Sequence, residues 1–388
     1  MEIILALDNW NASERGGGTP PNPTGFKQVV QGCWDVVDGF QDHFYPGTSM
    51  YYGLRPESVL GRIEAYPMDS VEGLRGWIRL QQQWCNEALA DIGVSPKQFK
   101  WAITEANCSP STGVDTYRNL YNMVGALFQA DLIRLGVEEP LFRSILQFGL
   151  IMGETINSGG SGGLQLLYDA ANLNAPMPQL LGMQLVCSAL YDEVVETVLA
   201  DVPQVTATEP TRGAFSYNAV TCFATVSPDR KKVMVALINK DLVNPHLVIP
   251  QVPGYDLSQV WIRDLFTADP AGYRAENTIN RNNVVIRDVN TTPLDIRGGY
   301  LLRPASITVI EVPTTYIPPV YSPTLDIVPS SLTLEQGQQR QLSAIYDPDS
   351  SLGPAFPVEV TSDPNCQWES SDPAVASVVR GLVTGAAV

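Results

Sequence analysis

Two apolar segments of the sequence end in side chains that could take part in the cleavage of a sugar bond. The segment Trp101-Ala102-Ile103-Thr104-Glu105 ends in a carboxylate, and the segment Asp42-His43-Phe44-Tyr45-Pro46 carries a histidine and a tyrosine. A buried, hydrogen-bonded glutamate opposite a tyrosine can attack the anomeric carbon of a sugar, and a second carboxyl group about 5 Å away then protonates the leaving group. These two segments are therefore the first places to look for a catalytic site.

Both segments belong to a repeated pattern of strands and helices. Up to about residue 200, short apolar runs alternate with helical patterns, which is typical of β/α units around a parallel sheet. We predict strands at residues 3–7, 37–45, 100–105 and 144–148. In a parallel barrel the active site lies at the carboxyl ends of the strands. Asn9, Trp10 and Phe148 follow other strand ends, where an aromatic face could stack on a sugar ring.

The remaining pattern divides the chain into further domains. Apolar residues at helical spacing predict helices over 74–89 and 120–132 and a last helix over roughly 179–199. From about residue 206, short alternating strands separated by turn residues predict a β-sandwich. The predicted organisation is multi-domain α/β plus all-β: residues 1–205, a sandwich at 206–313, a Pro-rich linker at 314–322 and a further all-β segment at 323–388.

The composition excludes several classes of function. The chain has 388 residues, with 24 Lys and Arg against 41 Asp and Glu, so its net charge of −17 repels phosphate backbones and anionic membranes. No apolar run approaches the ~20 residues that span a bilayer. With only two histidines and scattered cysteines, we expect no metal and no cofactor. The sequence therefore predicts no nucleic-acid partner and no membrane insertion.

Residues 1–312 resemble the second half of a clan A glycoside hydrolase of the α-L-arabinofuranosidase and β-xylosidase type. Residues 37–46 resemble the sixth barrel strand of that family, and residues 103–107 resemble the seventh, which carries the nucleophile. Residues 232–240 and 302–310 resemble the sandwich that follows such barrels. The resemblance implies a carbohydrate substrate and a retaining mechanism with Glu105 as nucleophile. It also implies that His43 and Tyr45 line the sugar subsite, where Tyr45 would donate a hydrogen bond to Glu105.

The sequence departs from this family at the general acid/base, which is usually a glutamate after an asparagine at the end of the fourth strand. The present chain begins at what resembles the fifth strand, and four predicted strands are half of eight. We therefore predict a truncated barrel, of about four β/α units, that is inactive by itself. Glu64 and Glu154 are available carboxylates, but neither lies at a matching strand end. Gly159-Gly160-Ser161-Gly162-Gly163 matches a nucleophile elbow, but the single downstream histidine, His246, lies in the sandwich.

The last segment resembles a group 2 bacterial immunoglobulin-like domain that stops before its final strand. The matching features include Leu332-Thr333-Leu334-Glu335-Gln336-Gly337 and Trp368-Glu369-Ser370-Ser371-Asp372-Pro373. This resemblance implies an extracellular or cell-surface protein held near the envelope or its polysaccharide. The alternative to an enzyme is a non-catalytic carbohydrate-binding or cell-surface adhesion protein that reuses the fold.

Overall fold

The structure is a computed structural model. It describes residues 3–6, 23–44, 55–65, 67–68, 71–108, 117–147, 167–168, 175–209, 213–277, 282–313, 324–329, 331–347, 358–363 and 366–386. The first part contains, in chain order, β1 (Ile4–Ala6), α1 (Pro23–Cys33), β2 (Gly39–Phe44), α2 (Pro56–Gly61), β3 (Pro67–Met68), β4 (Val71–Glu72), α3 (Gly73–Asp91), β5 (Lys100–Ala106), α4 (Met123–Glu138), β6 (Phe142–Gln147), β7 (Leu167–Tyr168), β8 (Ala175–Pro176) and α5 (Pro178–Cys187).

Four parallel strands form the sheet that holds the predicted site. They lie in the order β1-β2-β5-β6, and these are the four strands that the sequence pattern predicts. Gly39 opens β2 opposite Lys100, where a β-carbon would lie only 2.0 Å from the Lys100 carbonyl oxygen. Phe40 and Trp101 are paired across the two central strands and are fully buried. Consecutive strands of β/α units therefore lie side by side, as in part of a barrel.

The helices bury the apolar positions that their spacing predicts. In α3 the buried residues recur every three or four positions, and they include Leu74, Ile78, Cys85 and Leu89. This stripe packs against α1 and the sheet, where it joins one contiguous core. In contrast, α4 is buried over most of its circumference, because it lies between the parallel sheet and the strands that follow.

The prediction of a last helix over 179–199 is wrong in its second half. Helix α5 ends at Cys187, and residues Glu193–Val195 form strand β9. This segment contains Val194, Val195, Thr197 and Val198, whose branched β-carbons favour a strand. β9 pairs antiparallel with the strand at Val220–Val226, so tertiary pairing decides its conformation.

The middle of the chain is an antiparallel β structure. It contains β9 (Glu193–Val195), β10 (Gln204–Glu209), β11 (Gly213–Asn218), β12 (Val220–Val226), β13 (Lys232–Asn239), β14 (His246–Val248), β15 (Trp261–Thr267), β16 (Val284–Asp288), β17 (Tyr300–Leu302) and β18 (Ser306–Pro313). A six-stranded sheet has the order β16-β15-β18-β13-β12-β9, and β10-β11 and β14-β17 form two smaller sheets. Because residue 205 lies inside β10 and β9 belongs to the large sheet, strands of this unit begin before residue 206. The predicted domain boundaries stay predictions.

The two faces of the six-stranded sheet bury different cores. In β13, Met234, Ala236 and Ile238 belong to the core shared with the helices, whereas Val233, Val235 and Leu237 belong to a second core. Side chains alternate between the faces of a strand, so a strand that is apolar on both sides is covered on both sides. The helical part of the chain and the sandwich therefore share one continuous apolar interface.

Buried ion pairs also join α4 to this sheet. The carboxylate of Asp131 accepts hydrogen bonds from Arg134 Nε at 2.6 Å, Lys240 Nζ at 2.9 Å and Thr221 Oγ1 at 2.8 Å. Asp131 and Lys240 are almost completely buried. Burial by itself would raise the pKa of Asp131, but the charges of Arg134 and Lys240 hold that pKa well below its usual range. Asp131 is therefore a fully ionised, fully paired carboxylate at the domain contact.

The C-terminal part forms two three-stranded antiparallel sheets. Its strands are β19 (Thr324–Val328), β20 (Gln339–Gln341), β21 (Ser343–Asp347), β22 (Val358–Glu359), β23 (Ala376–Val379) and β24 (Leu382–Gly385). Their orders are β19-β21-β22 and β20-β24-β23. The immunoglobulin-like assignment stays a prediction. Among the described helices, none is both long and apolar enough to cross a membrane.

Candidate active site

The structure brings two of the predicted site residues together. His43 on β2 and Glu105 on β5 are register partners, and His43 Nδ1 lies 3.4 Å from Glu105 Oε2. The His43 side chain is 30% exposed and that of Glu105 is 34% exposed, so both remain open to a ligand. Gln41 Nε2 lies 3.2 Å from His43 Nε2. Because an amide nitrogen can only donate, it favours the neutral tautomer with the proton on Nδ1, which is the nitrogen that faces Glu105.

A β-bulge turns Glu105 towards His43. Asp42 pairs with Ile103 and His43 pairs with Glu105, so Thr104 is an extra residue in β5. The register between β5 and β6 shows the same insertion, since Ile103 and Ala106 pair with residues only two apart on β6. An extra residue reverses the alternation of side chains along a strand. Trp101 and Ile103 face the buried core, but Glu105 lies beyond the bulge and joins His43 on the opposite face.

Behind this pair lies a buried polar cluster that the sequence analysis missed. The carboxylate of Asp42 lies on the core face of the sheet, where Trp77 Nε1 and Gln81 Nε2 donate to Oδ2 at 3.2 and 3.3 Å. Asp42 Oδ1 accepts the backbone N–H of His43 at 2.8 Å. A charged residue at a core-facing strand position, between Phe40 and Phe44, was the signal in the sequence that could have identified it.

The other four predicted site residues lie outside the described residues: Asn9, Trp10, Tyr45 and Phe148. Glu154 and the glycine-rich segment 159–163 lie outside them as well. Glu64 is described, and its Oε1 lies 2.9 Å from both Arg75 Nη2 and Arg134 Nη2. Glu64 is therefore engaged by two cations of the helical layer.

The described residues offer little for a metal or for a separate ligand cavity. None of their His, Cys, Asp and Glu side chains form a group of three that could hold a metal ion. A cavity of about 410 Å³ lies along α3, lined by Glu64, Glu72, Arg75, Gly76, Arg79, Leu80 and Gln83. Neither His43 nor Glu105 is among these residues, and Arg75 and Arg79 are paired with Glu138 and Glu139. The prediction that no cofactor is needed stays a prediction.

Comparisons with known proteins identify the fold. The sequence matches no family model and no curated protein. An α-L-arabinofuranosidase from Thermotoga maritima, solved as an arabinose complex, has a similar structure with a TM-score of 0.57, 16% identity and coverage of 81% of this chain and 58% of that chain. A thermostable glycoside hydrolase family 51 α-L-arabinofuranosidase from Thermotoga petrophila RKU-1 has a TM-score of 0.54, 17% identity and coverage of 80% and 57%.

A family 51 α-L-arabinofuranosidase from Bifidobacterium longum is similar to the same extent. Its TM-score is 0.54, with 14% identity and coverage of 80% of this chain and 58% of that chain. The chain therefore spans less than three fifths of the length of the arabinofuranosidases that it matches. At these identities the likeness concerns the fold alone: over most of its length, the chain has the fold of part of a clan A glycoside hydrolase, a parallel β/α sheet followed by an antiparallel β unit.

Proposed function

We propose that this chain carries the nucleophile of a retaining glycoside hydrolase that acts on polysaccharide or oligosaccharide. The observation that carries the proposal is the Glu105–His43 pair, which a β-bulge turns out of the core at the carboxyl end of a parallel strand. Bulges next to active sites commonly re-aim a side chain in this way. The fold, shared with α-L-arabinofuranosidases, supports a furanoside or a related glycoside as the substrate.

In the proposed reaction, a carboxylate oxygen of Glu105 forms a bond to the anomeric carbon while the bond to the leaving oxygen breaks. Water then attacks the glycosyl-enzyme and releases the sugar with retained configuration. His43 orients the nucleophile, because its Nδ1–H faces the carboxylate. The same face of the sheet also offers the side-chain amide of Gln41 as a hydrogen-bonding group for a sugar hydroxyl.

Among the described residues, no strand end of the parallel sheet offers a second carboxylate as the acid/base of this reaction. The sequence contains one Asn-Glu pair, Asn86-Glu87, and it lies in the middle of α3. Glu87 accepts hydrogen bonds from Lys27 and Gln83, on the side of α3 that faces α1. We therefore propose that the chain by itself hydrolyses natural glycosides at no more than a trace rate, because the leaving oxygen is not protonated.

Covalent labelling tests this proposal without the acid/base. An aryl 2-fluoro arabinofuranoside with a 2,4-dinitrophenolate leaving group needs no proton, and its fluorine slows hydrolysis of the glycosyl-enzyme. Mass spectrometry of the digested full chain should find one added sugar on the peptide that contains Glu105. Glu105→Gln should remove the label, and Glu193→Gln, which changes an exposed glutamate of β9, should keep it. Label on another residue, or full turnover of natural arabinan or xylan, would overturn the assignment.

A non-catalytic role is the second candidate, and the position of Asn86-Glu87 favours it. A protein that reuses the fold to bind carbohydrate or to adhere to a surface needs no acid/base and no nucleophile. Isothermal titration calorimetry with arabino-oligosaccharides distinguishes the two functions. Binding that persists in Glu105→Gln, together with no covalent label in the unchanged protein, would support the binding protein over the enzyme.

We further propose that the protein is extracellular or displayed at the cell surface, near the envelope or its polysaccharide. The support is the sequence resemblance of residues 323–388 to a bacterial immunoglobulin-like domain and their two antiparallel sheets. Protease treatment of intact cells that carry the gene, followed by mass spectrometry of the released peptides, tests this location. Release of peptides from lysed cells but not from intact cells would contradict it.

A further inference from the structure

Asp42 connects α3 to both strands of the candidate site. Its Oδ2 accepts from Trp77 Nε1 and Gln81 Nε2, and its Oδ1 accepts the backbone N–H of His43. Gln81 in turn accepts from Trp101 Nε1 at 3.4 Å through its Oε1. A hydrogen-bonded path therefore runs from β2 through α3 to β5, on the face of the sheet opposite to Glu105.

The position of Asp42 coincides with the β-bulge. The register shift falls between Asp42 and His43, where the extra residue Thr104 interrupts the regular ladder. An interrupted ladder leaves backbone groups in need of other partners. Here the carboxylate of Asp42 accepts the N–H of His43, the residue that faces Glu105.

Packing alone does not explain why residue 42 is an aspartate. Asp42 is 5% exposed and lies between the core residues Phe40 and Phe44 of the same strand. Burying a carboxylate costs free energy that hydrogen bonds offset only in part, whereas an apolar side chain of similar volume would pack without that cost. A role other than a contribution to stability therefore accounts better for a carboxylate at residue 42.

We propose that Asp42 is a positioning residue for the His43–Glu105 pair, and that Trp77 and Gln81 set the orientation of its carboxylate. The carboxylate fixes the backbone of His43 at the bulge, and the imidazole then fixes Glu105. This inference rests on the proposed function of Glu105, but it concerns residues that touch neither substrate nor nucleophile.

The first test measures the rate of covalent labelling of Glu105 in the full chain. In Asp42→Asn the amide N–H₂ faces donors in either orientation, Trp77 and Gln81 on one side or the His43 backbone N–H on the other. The side chain must rotate or shift to avoid these donors, so the His43 backbone loses part of its fixed position. We expect labelling to slow by about 10- to 100-fold, since a displacement of about 1 Å at a reacting group can cost about 100-fold. In the exchange variant Asp42→Asn/Gln81→Glu, the new amide on β2 can donate to the new carboxylate on α3 and still accept from the His43 backbone. This double variant should recover most of the rate.

The second test needs no activity. The chain has only two histidines, so imidazole ¹⁵N signals of His43 and His246 are readily assigned by substitution. Asp42→Asn should shift the His43 signals and leave those of His246 unchanged, and the exchange variant should return them towards their original positions. Trp77→Phe, which removes one donor and keeps an aromatic ring, should give a smaller shift in the same direction. This variant still tests the inference if Asp42→Asn does not fold.

The two tests separate the inference from the function on which it rests. If the unchanged protein is not labelled, the proposed nucleophile is wrong and the His43 signals still decide whether Asp42 positions the imidazole. Asp264→Asn, a change at a buried aspartate of β15, is the matched control and should alter neither the labelling rate nor the His43 signals. Unchanged labelling and unchanged His43 signals in folded Asp42→Asn would overturn the inference.

Discussion

The His43–Glu105 pair and the Asp131 cluster both place a carboxylate next to nitrogen donors, but their surroundings differ. About a third of each side chain is exposed in the first pair, and a β-bulge turns them away from the core. In the second, Asp131 and Lys240 are buried between α4 and the six-stranded sheet, and Arg134 and Thr221 complete the hydrogen bonds of the carboxylate.

This difference in exposure separates a carboxylate that is accessible to a substrate from one that can only stabilise the fold. A nucleophile needs an oxygen that a substrate can reach, and the side chain of Glu105, the proposed nucleophile, is 34% exposed. Asp131 gives its oxygens to three donors, so breaking one contact would leave a buried charge without compensation. Exposure, rather than charge itself, therefore distinguishes the two carboxylates.

The largest effect that we expect from the comparison is the loss of reactivity in Glu105→Gln. Because the change is isosteric and removes only the nucleophilic charge, covalent labelling should fall by at least about 10³-fold. The free energy of unfolding in urea should change by less than about 1 kcal/mol, as for other partly exposed substitutions. If Glu105→Gln is still labelled, or if it loses several kcal/mol of stability, Glu105 is a structural residue and not the nucleophile.

Asp131→Ala should show the opposite profile. Removing the carboxylate leaves the buried Lys240 without the carboxylate that pairs with it, whereas Arg134 keeps its ion pairs with Glu64 and Glu138. Breaking a buried pair of this kind costs about 3–5 kcal/mol. Urea denaturation followed by circular dichroism measures the loss. Acid should reproduce part of it in the unchanged protein: the pKa of Asp131 is depressed in the folded state, so its contribution is present above the unfolded pKa of about 4 and is lost as pH falls further.

The contrast between these two sites could be predicted only in part from the sequence. Local patterns were sufficient for the four parallel strands, for the helix now assigned as α3 and for Glu105 at a strand end, because strand and helix periodicities are local. The bulge at Thr104 could not be predicted, since an inserted residue leaves no mark in the apolar pattern. The Asp131–Lys240 pair joins residues 109 positions apart, and no local signal connects them.

Tertiary pairing explains the remaining differences. The segment after Cys187 has enough apolar residues for a helix, but β12 offers an edge with which Glu193–Val195 pairs. The sequence does not predict the buried position of Asp42, because a polar residue within an apolar strand is normally assigned to the solvent face. In the structure it points at donors from α3, which the sequence separates from it by more than 30 residues.

A further buried carboxylate, that of Asp264, tests whether pairing with cations decides if a buried carboxylate stabilises or destabilises the fold. Asp264 is 1% exposed, and its Oδ2 accepts the hydroxyl of Tyr300 at 2.7 Å. Burial raises the pKa of Asp264, and the hydrogen bond from Tyr300 and the charge of Arg303 offset only part of that rise. Asp264→Asn keeps an acceptor for Tyr300 and removes the buried charge, so it should stabilise the protein by about 1 kcal/mol at pH 7.

The pH dependence of the stability difference shows whether the removed charge causes the stabilisation in Asp264→Asn. A raised folded pKa means that the charged carboxylate destabilises the fold above that pKa, and that the penalty disappears as pH falls towards the unfolded value of about 4. The stability difference between Asp264→Asn and the unchanged protein should therefore shrink on acidification, as thermal melts from pH 7 to pH 4 would measure. A difference that does not vary with pH would mean that packing, not charge, separates the two.

The smallest effect is expected where charges are paired but exposed. Arg230 Nη2 lies 2.7 Å from both carboxylate oxygens of Glu193, and the two side chains are 68% and 55% exposed. Water already solvates such charges, so an exposed pair contributes about 0–1 kcal/mol and salt screens it. Glu193→Gln should lower the free energy of unfolding by less than about 0.5 kcal/mol in 0.15 M salt, with no difference left in 1 M salt. Glu193 lies in β9, the edge strand found where a helix was expected. A larger loss that disappears in 1 M salt would show that this strand depends on the ion pair rather than on its pairing with β12.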